Sequence, residues 1–399
     1  MMGILGLTTL MACSTDDRDE SQPEEPGLPV ELSVSAPQYE DETVKLDGTR
    51  SWTPPDGFYL YDQLYETGVH FESLNNKSID VFLCPTGGGD PLHGSLRYSS
   101  STAKWKLSVK GVKDPETITT TFGTNYYVYG FMPRDAADDA EIELFDPSDP
   151  DATYADGAKL TIKGLQSVTA DASVIVGANT GTSDENDGGL RRGDFGIELK
   201  TGSDKTYLYL LFDHLCPALR VSLRVDGEYG KLRTIKLKEL YLQTATDDGP
   251  TKKKHDVTVV LNKNNDGSDP IQSIDYSPVG TEESGGTMYS SSEGLELPVL
   301  EYSLFLSHFI PLDVTKLILT STYDVYDKNV TTEHPNGNLV RKNCEATNTF
   351  DLKKLVYLFD GIHREYRYNL SLLVTPTFLY MLSEPDLDNP TLELESVEP

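Results

Sequence analysis

Leu219-Arg220-Val221-Ser222-Leu223-Arg224-Val225 and, ten residues on, Ile235-Lys236-Leu237-Lys238-Glu239-Leu240-Tyr241-Leu242 decide the fold class. Apolar and polar residues alternate in both. A pleated strand turns successive side chains to opposite faces, so this spacing gathers the apolar set on one face; a helix would scatter it. Similar runs recur on both sides: Val30 to Ala36, Ile79 to Cys84, Trp105 to Val109, Tyr126 to Met132, Lys159 to Ile162, Val174 to Gly177 and Tyr207 to Phe212 before it, and Val257 to Leu261, Tyr302 to Leu306, Leu317 to Tyr326 and Tyr366 to Val374 after it. They are rich in Val, Ile, Tyr and Phe, which suit a half-buried pleated surface. The connectors carry Gly, Pro, Asn and Asp, the residues turns require. Helical spacing shows only around Leu352 to Leu358. These runs predict an all-β chain of two sandwiches.

Length agrees, since 399 residues suffice for two or three domains. The polar, glycine-rich stretches Asp184 to Gly189 and Thr201 to Lys205 suggest a boundary near residue 204. A weak echo supports two similar units. Val30 to Val34 precedes Ile79 to Leu83 as Leu219 to Leu223 precedes Ile235 to Leu240, and each pair reads as an opening strand with its first partner. The formal net charge of −30 argues against nucleic acid and anionic membrane surfaces as partners.

At the start of the chain, Gly3 to Ala12 is apolar and too short to span a bilayer. It reads as a secretory signal core. It ends Leu10-Met11-Ala12-Cys13, which resembles a bacterial lipobox and implies that Cys13 becomes the lipid-bearing first residue, with palmitate among its acyl chains. An acidic, proline-bearing tether follows, and it lacks the apolar residues to form a core. Cys84, Cys216 and Cys344 read as small buried hydrophobes without metal-ligand spacing.

Chemistry-bearing motifs are scarce. The seven histidines form no i, i+4 helical pair, and no Gly-x-Ser-x-Gly elbow is present. Gly87-Gly88-Gly89-Asp90-Pro91 reads as a turn. Asn262 to Ser268 half-matches a calcium loop but lacks a carboxylate at its twelfth position, Ser273. Asp146 to Asp156 reads as a solvated acidic loop. The sequence therefore predicts no enzyme, no catalytic residue, no metal site and no cofactor.

Phe212-Asp213-His214-Leu215-Cys216-Pro217-Ala218-Leu219-Arg220-Val221-Ser222-Leu223, followed by Leu232 to Lys238, is similar to a signature of Bacteroidetes fimbrillins. Tyr126 to Pro133 resembles their aromatic N-domain strand, and Tyr323 to Asp327 with Gly361 to Val374 resembles their closing strands. The resemblance implies two transthyretin-like β-sandwich domains in tandem and a lipoprotein exported through the periplasm to the outer membrane. It further implies an arginine-specific protease that removes the first strand, and a slot that then accepts a strand from another subunit.

Matching pieces are present. Val30, Leu32, Val34 and Ala36 face one way in the first strand. The polar loop Gln38 to Thr49 ends at Arg50-Ser51, a plausible cleavage bond. At the other end, in Thr391-Leu392-Glu393-Leu394-Glu395-Ser396-Val397, Leu392 and Leu394 alternate with Glu393 and Glu395 as in the first strand, and with Val397 they are candidate donor-strand residues. The expected organisation is a signal peptide over 1–12, an acidic tether over 13–29, a removable strand and loop over 30–50, an N-terminal sandwich over 51–204, a C-terminal sandwich over 205–385 and a donor tail over 386–399. The expected function is a structural pilus subunit that supports adhesion. Its partners would be other pilin subunits, the protease, the outer membrane through the lipid before cleavage, and host or bacterial surface ligands. The competing readings are a monomeric surface lipoprotein that binds glycans or peptides, and a fimbrial anchor that keeps its lipid and first strand.

Overall fold

A computed structural model describes residues 28–35, 40–41, 78–99, 104–112, 118, 125–166, 172–181, 190–199, 206–263, 269–304, 308–328, 338–354, 362–364, 366–376 and 385–392. In chain order the strands are β1 (Leu28–Ser35), β2 (Glu40–Asp41), β3 (Ser78–Pro85), β4 (Leu92–Ser99), β5 (Lys104–Val109), β6 (Asn125–Met132), β7 (Asp139–Leu144), β8 (Gly157–Gln166), β9 (Ser173–Gly181), β10 (Gly196–Glu198) and β11 (Thr206–His214). The later part adds β12 (Ala218–Val225), β13 (Arg233–Thr246), β14 (Gly249–Pro250), β15 (Lys252–Asn262), β16 (Ile271–Glu283), β17 (Gly286–Glu296), β18 (Ser303–Leu304), β19 (His308–Phe309), β20 (Lys316–Asp327), β21 (Asn338–Asp351), β22 (Tyr366–Pro376) and β23 (Pro385–Leu392).

The chain is all-β, with two β-sandwich bodies in tandem. In the first, eight strands run in the order β10-β6-β3-β4-β5-β1-β11-β9, and β6 pairs again with β9, so the sheet rolls back on itself. The roll encloses a core of Ile79, Val81 and Leu83 from β3, Leu107 and Val109 from β5, and Leu208, Leu210 and Phe212 from β11. Its outer face, with Phe82, Tyr129, Phe131 and Val176, packs on a four-stranded sheet of order β16-β15-β8-β7 through Leu160, Ile162, Val257 and Val259. In the second body the sheet β18-β12-β22-β2 lies against the sheet β14-β13-β20-β21, with Val221, Leu223, Leu237, Leu240, Leu319 and Leu370 between them. Gly130 marks one close approach: a Cβ there would sit 2.0 Å from the Asp80 carbonyl oxygen on β3.

The expected strands are present, and their partners correct the sequence reading. The opening strand β1 does not pair with β3; it pairs with β5 and β11. Likewise β12 pairs with β18, β19 and β22, while β13 lies in the facing sheet. The echo is real at another level. Each opening strand sits between antiparallel neighbours on one side and a later strand on the other, and is parallel to that later strand: β1 to β11 and β12 to β22.

The boundary near residue 204 separates the two opening strands, but the β15–β16 hairpin from beyond it hydrogen-bonds to β8 from before it, with Val257 opposite Ile162 and Val259 opposite Leu160. Alternation shows which face of a strand is apolar and cannot show which core receives it. Of the helical stretch expected at 352–358, a 3-10 turn forms at Leu352–Lys354 and residues 355–358 lie outside the described residues. A helix not expected, α1 (Gly227–Leu232), is capped by the Asp226 carboxylate, which accepts from the Glu228 and Tyr229 N–H groups.

Candidate functional site: the first strand and its slot

The site is built on β5 and β11. Alternation in β11 sends Leu208, Leu210 and Phe212 into the rolled core. Leu107 and Val109 of β5 enter the same core. Between these two strands lies β1, antiparallel to β5 over Leu28 to Val30 and parallel to β11 over Val30 to Ser35. The register sets Leu32 opposite Leu208 and Val34 opposite Leu210. Thus Leu32 and Val34 of the expected removable strand fall at the register positions of core-facing neighbours, while Val30 lies opposite Thr206 and Trp105. Ala36 lies outside the described residues.

Each flanking strand has a second partner. β11 pairs with β9 from Tyr207 to His214, with a bulge between Leu211 and Phe212. β5 pairs with β4 from Lys104 to Val109. Removing β1 therefore leaves both strands held on one side and open on the other. An opened sheet edge presents unpaired N–H and C=O groups, a template for another strand. A ladder hydrogen bond contributes about 0.5–1.5 kcal/mol net and a fully buried Val or Leu about 1.5–3 kcal/mol. Ordering a free strand costs about 1–2 kcal/mol per residue. The two sides are comparable in size.

The second half of the site is the free edge of β22. Two segments share it. β2 pairs in parallel at Tyr366 and Arg367, and β23 pairs antiparallel from Leu372 to Pro376, with Leu392 opposite Leu372 and Thr391 opposite Leu373. The N-terminal segment is thus fixed to both bodies, by β1 in the first and β2 in the second. Of the expected donor residues, Leu392 ends β23, and Leu394 and Val397 lie outside the described residues. So do Cys13, Arg50 and Ser51.

Beside this site four charges join the bodies. The Asp213 carboxylate at the end of β11 is buried and accepts from Arg192 Nη2 at 2.5 Å and Arg364 Nη1 at 2.9 Å. Asp269 completes the ring, accepting from Arg192 at 2.9 Å and from the second nitrogen of Arg364. Arg364 Nη1 also reaches the His214 carbonyl at 3.4 Å. Tyr276 of β16 donates to the Leu215 carbonyl at 2.6 Å in the same junction. The sequence reading missed this ring. Asp213 lies inside the Phe212 to Leu223 stretch, but its partners are 21 and 151 residues away and nothing in their local sequence links them.

Other features lie where the sequence placed them. Gly87 to Pro91 forms an exposed turn, with the Gly88 N–H donating to the Pro85 carbonyl at 3.1 Å. Asp146 to Asp156 is an exposed loop of short-range turns, in which the Ser148 hydroxyl and N–H hold the Asp146 carboxyl below its ordinary range. Cys84 and Cys216 are buried, and burial pushes the Cys84 thiol far up. Cys344 departs from the expected burial: it is half-buried at the margin of the second body's core, because it sits on β21, most of whose positions are exposed. Among the described residues no group of His, Cys, Asp and Glu is arranged to hold a metal ion, and no helix is long and apolar enough to cross a membrane.

No family model matches the chain, and no curated protein does. Solved structures do. A candidate cell adhesion protein from Bacteroides uniformis is 11% identical, with 92% of this chain and 98% of that chain covered and a TM-score of 0.36. A fimbrial protein from Bacteroides vulgatus is 14% identical, with 92% and 98% covered and a TM-score of 0.33. A protein from Bacteroides thetaiotaomicron described as polysaccharide binding is 10% identical, with 87% and 92% covered and a TM-score of 0.28. At these values the superpositions are loose.

Proposed function

We propose that the chain is a subunit of a Bacteroidetes surface fimbria that assembles by strand exchange and supports adhesion. One observation carries the reading: β1 is an interior strand of the first body, yet both its neighbours keep a second partner without it. On this reading Cys13 carries the lipid to the outer membrane. An arginine-specific protease then cuts between Arg50 and Ser51, and that one cut removes β1 and β2 together. The slot between β5 and β11 opens, and a neighbour's tail, with Leu392 and Leu394 alternating with Glu393 and Glu395 and Val397 beyond them, takes the place of Val30, Leu32, Val34 and Ala36. A head-to-tail contact of this kind does not close on itself and grows as a filament. No step of it needs a catalytic residue or a cofactor in this chain.

A second reading has its own support. Pairing of the N-terminal segment with both bodies suits a subunit that keeps it, the fimbrial anchor. The mature N-terminus of protein sheared from the cell surface separates the two. A start at Ser51 agrees with the polymerising subunit. A lipidated Cys13 on all of the surface protein refutes strand exchange through this slot and leaves the anchor.

A further inference from the structure

We propose that His255 is a pH-sensitive latch on the junction between the two bodies: its neutral ring lets the junction close, and a proton taken up in mildly acidic surroundings loosens it. Such a latch is independent of strand exchange.

His255 lies on β15, opposite Leu165 of β8 and Pro278 of β16. It stands at the head of the buried series Val257, Val259 and Leu261, which packs on the first body, and it is itself 2% exposed. The two bodies meet around it. Tyr276 of β16 is set nearly perpendicular to the imidazole, with ring centroids 6.2 Å apart. Its hydroxyl donates to the Leu215 carbonyl, in the link between the bodies, at 2.6 Å and lies 3.6 Å from the Cys216 sulfur. Asp313 is the charged group that acts on the ring. It follows a stretch shared by both cores, with Phe309 in one and Ile310 in the other, and the Ile310 N–H donates to the Pro217 carbonyl at 3.1 Å.

The Nδ1 atom of His255 is buried and makes no hydrogen bond. A neutral imidazole donates from one nitrogen only, so Nδ1 can stay an unused acceptor; an imidazolium carries two N–H donors and a full charge. Protonation would turn Nδ1 into a buried donor without an acceptor, on a charged ring. The neighbouring groups do not supply one. Burial keeps Tyr276 protonated, and its proton is committed to Leu215. Cys216 is a weak acceptor beside that same hydroxyl. On the strand itself, Lys254 reaches Asp138 at 2.6 Å and Asp256 accepts from the Gly164 N–H at 2.9 Å. Lys163 of β8 pairs with Glu141, and Arg192, Arg364, Asp213 and Asp269 balance one another. Asp313 favours the proton, but it is exposed and solvent screens it. Burial therefore prevails and holds His255 below the ordinary imidazole range. The open junction, with an ordinary imidazole pKa of about 6.5, takes the proton more readily. The closed junction keeps its full stability above that pH and loses it as pH falls toward the lower folded-state value.

The test is hydrogen exchange of the full chain, read by mass spectrometry at about pH 7.5 and about pH 5.5 and corrected for the intrinsic exchange rate at each pH. Peptides covering 255–262 and 308–315 report the junction, and a peptide covering 235–242 reports the second core. Junction protection is expected to fall roughly 3- to 10-fold at the lower pH, about one unit below the ordinary imidazole pKa, while the second core keeps its own. His255→Phe keeps a buried ring that cannot take a proton, and its junction is expected to be equally protected at both pH values. Asp313→Asn removes the charge that favours the proton and is expected to deepen the loss. Equal protection at both pH values in the unaltered chain overturns the proposal. So does a loss that persists in His255→Phe, which would assign the titration to His214 or His308, also buried. If His255→Phe fails to fold, Asp313→Asn decides, and a loss shallower than that of the unaltered chain overturns the latch.

Discussion

Replacing Asp213 by Asn tests how the two bodies are held. The carboxylate is almost wholly buried and lies between two guanidinium groups, Arg192 at 2.5 Å and Arg364 at 2.9 Å, the second of them also buried. Asn keeps the volume and removes the charge. Arg364 then keeps Asp269 and the His214 carbonyl but loses its buried counter-ion. Breaking a buried pair from one side costs about 3–5 kcal/mol. Arg192 and Asp269 are about two-fifths exposed, so solvent screens their share and the lower end of that range applies. The expected loss is about 3 kcal/mol. With a urea m-value of about 3 kcal/mol/M, the midpoint falls by about 1 M. The assay is urea unfolding followed by circular dichroism and tyrosine fluorescence together, so that separate unfolding of the bodies shows as non-coincident transitions. A double-mutant cycle with Arg364→Met isolates the pair, and a coupling energy below about 0.5 kcal/mol would refute the assignment.

Three further outcomes follow from the structure. Thr251→Val should cost about 1–3 kcal/mol in thermal unfolding, because Thr244, Thr251 and Ser284 share buried hydroxyl hydrogen bonds of 2.5–2.9 Å and the valine leaves its neighbours short of a partner; Thr251→Ser should recover most of that loss. Gly130→Ala should lower stability by at least about 2 kcal/mol in the same assay, since the new methyl meets backbone rather than a movable side chain. Burial works against ionisation of Asp324, yet the Asn343 N–H at 2.7 Å and the Lys238 ammonium at 2.9 Å outweigh it and hold the carboxyl below its ordinary range. A depressed folded-state pKa stabilises the protein above the unfolded value near 4, and that stability is lost as pH falls through the folded value. Asp324→Asn should flatten this acid limb in stability measured between about pH 5 and pH 2, and an unchanged limb would count against the Asp324 pair.

The sequence showed most of what alternation can show. β12, β13 and β20 carry regular apolar spacing and face the second core as expected. β16 and β21 did not announce themselves. Gln272-Ser273-Ile274-Asp275-Tyr276-Ser277-Pro278 is exposed on most of its positions, and it is a strand because β15 lies beside it to pair with. Asn338 to Asp351 is similarly polar and owes its form to β20. The candidate site was legible as two alternating segments at the ends of the chain. Its geometry was not, because parallel pairing of β1 with β11 joins residues about 176 positions apart and leaves no local trace. The four-charge ring was hidden for the same reason.

The sheet shared by β15 and β8 has a mechanical meaning. A filament under flow transmits load from one subunit to the next through every junction in its path. If only Leu215-Cys216-Pro217 joined the two bodies, the chain would swivel there and each body would yield at its own force. Here a hydrogen-bonded ladder, a ring of four charges and the apolar contact of Val257 and Val259 with Leu160 and Ile162 lie in parallel with that covalent link. Pulling the bodies apart has to break them together, so under load the two bodies yield as one unit, which is what the proposed filament would ask of a subunit.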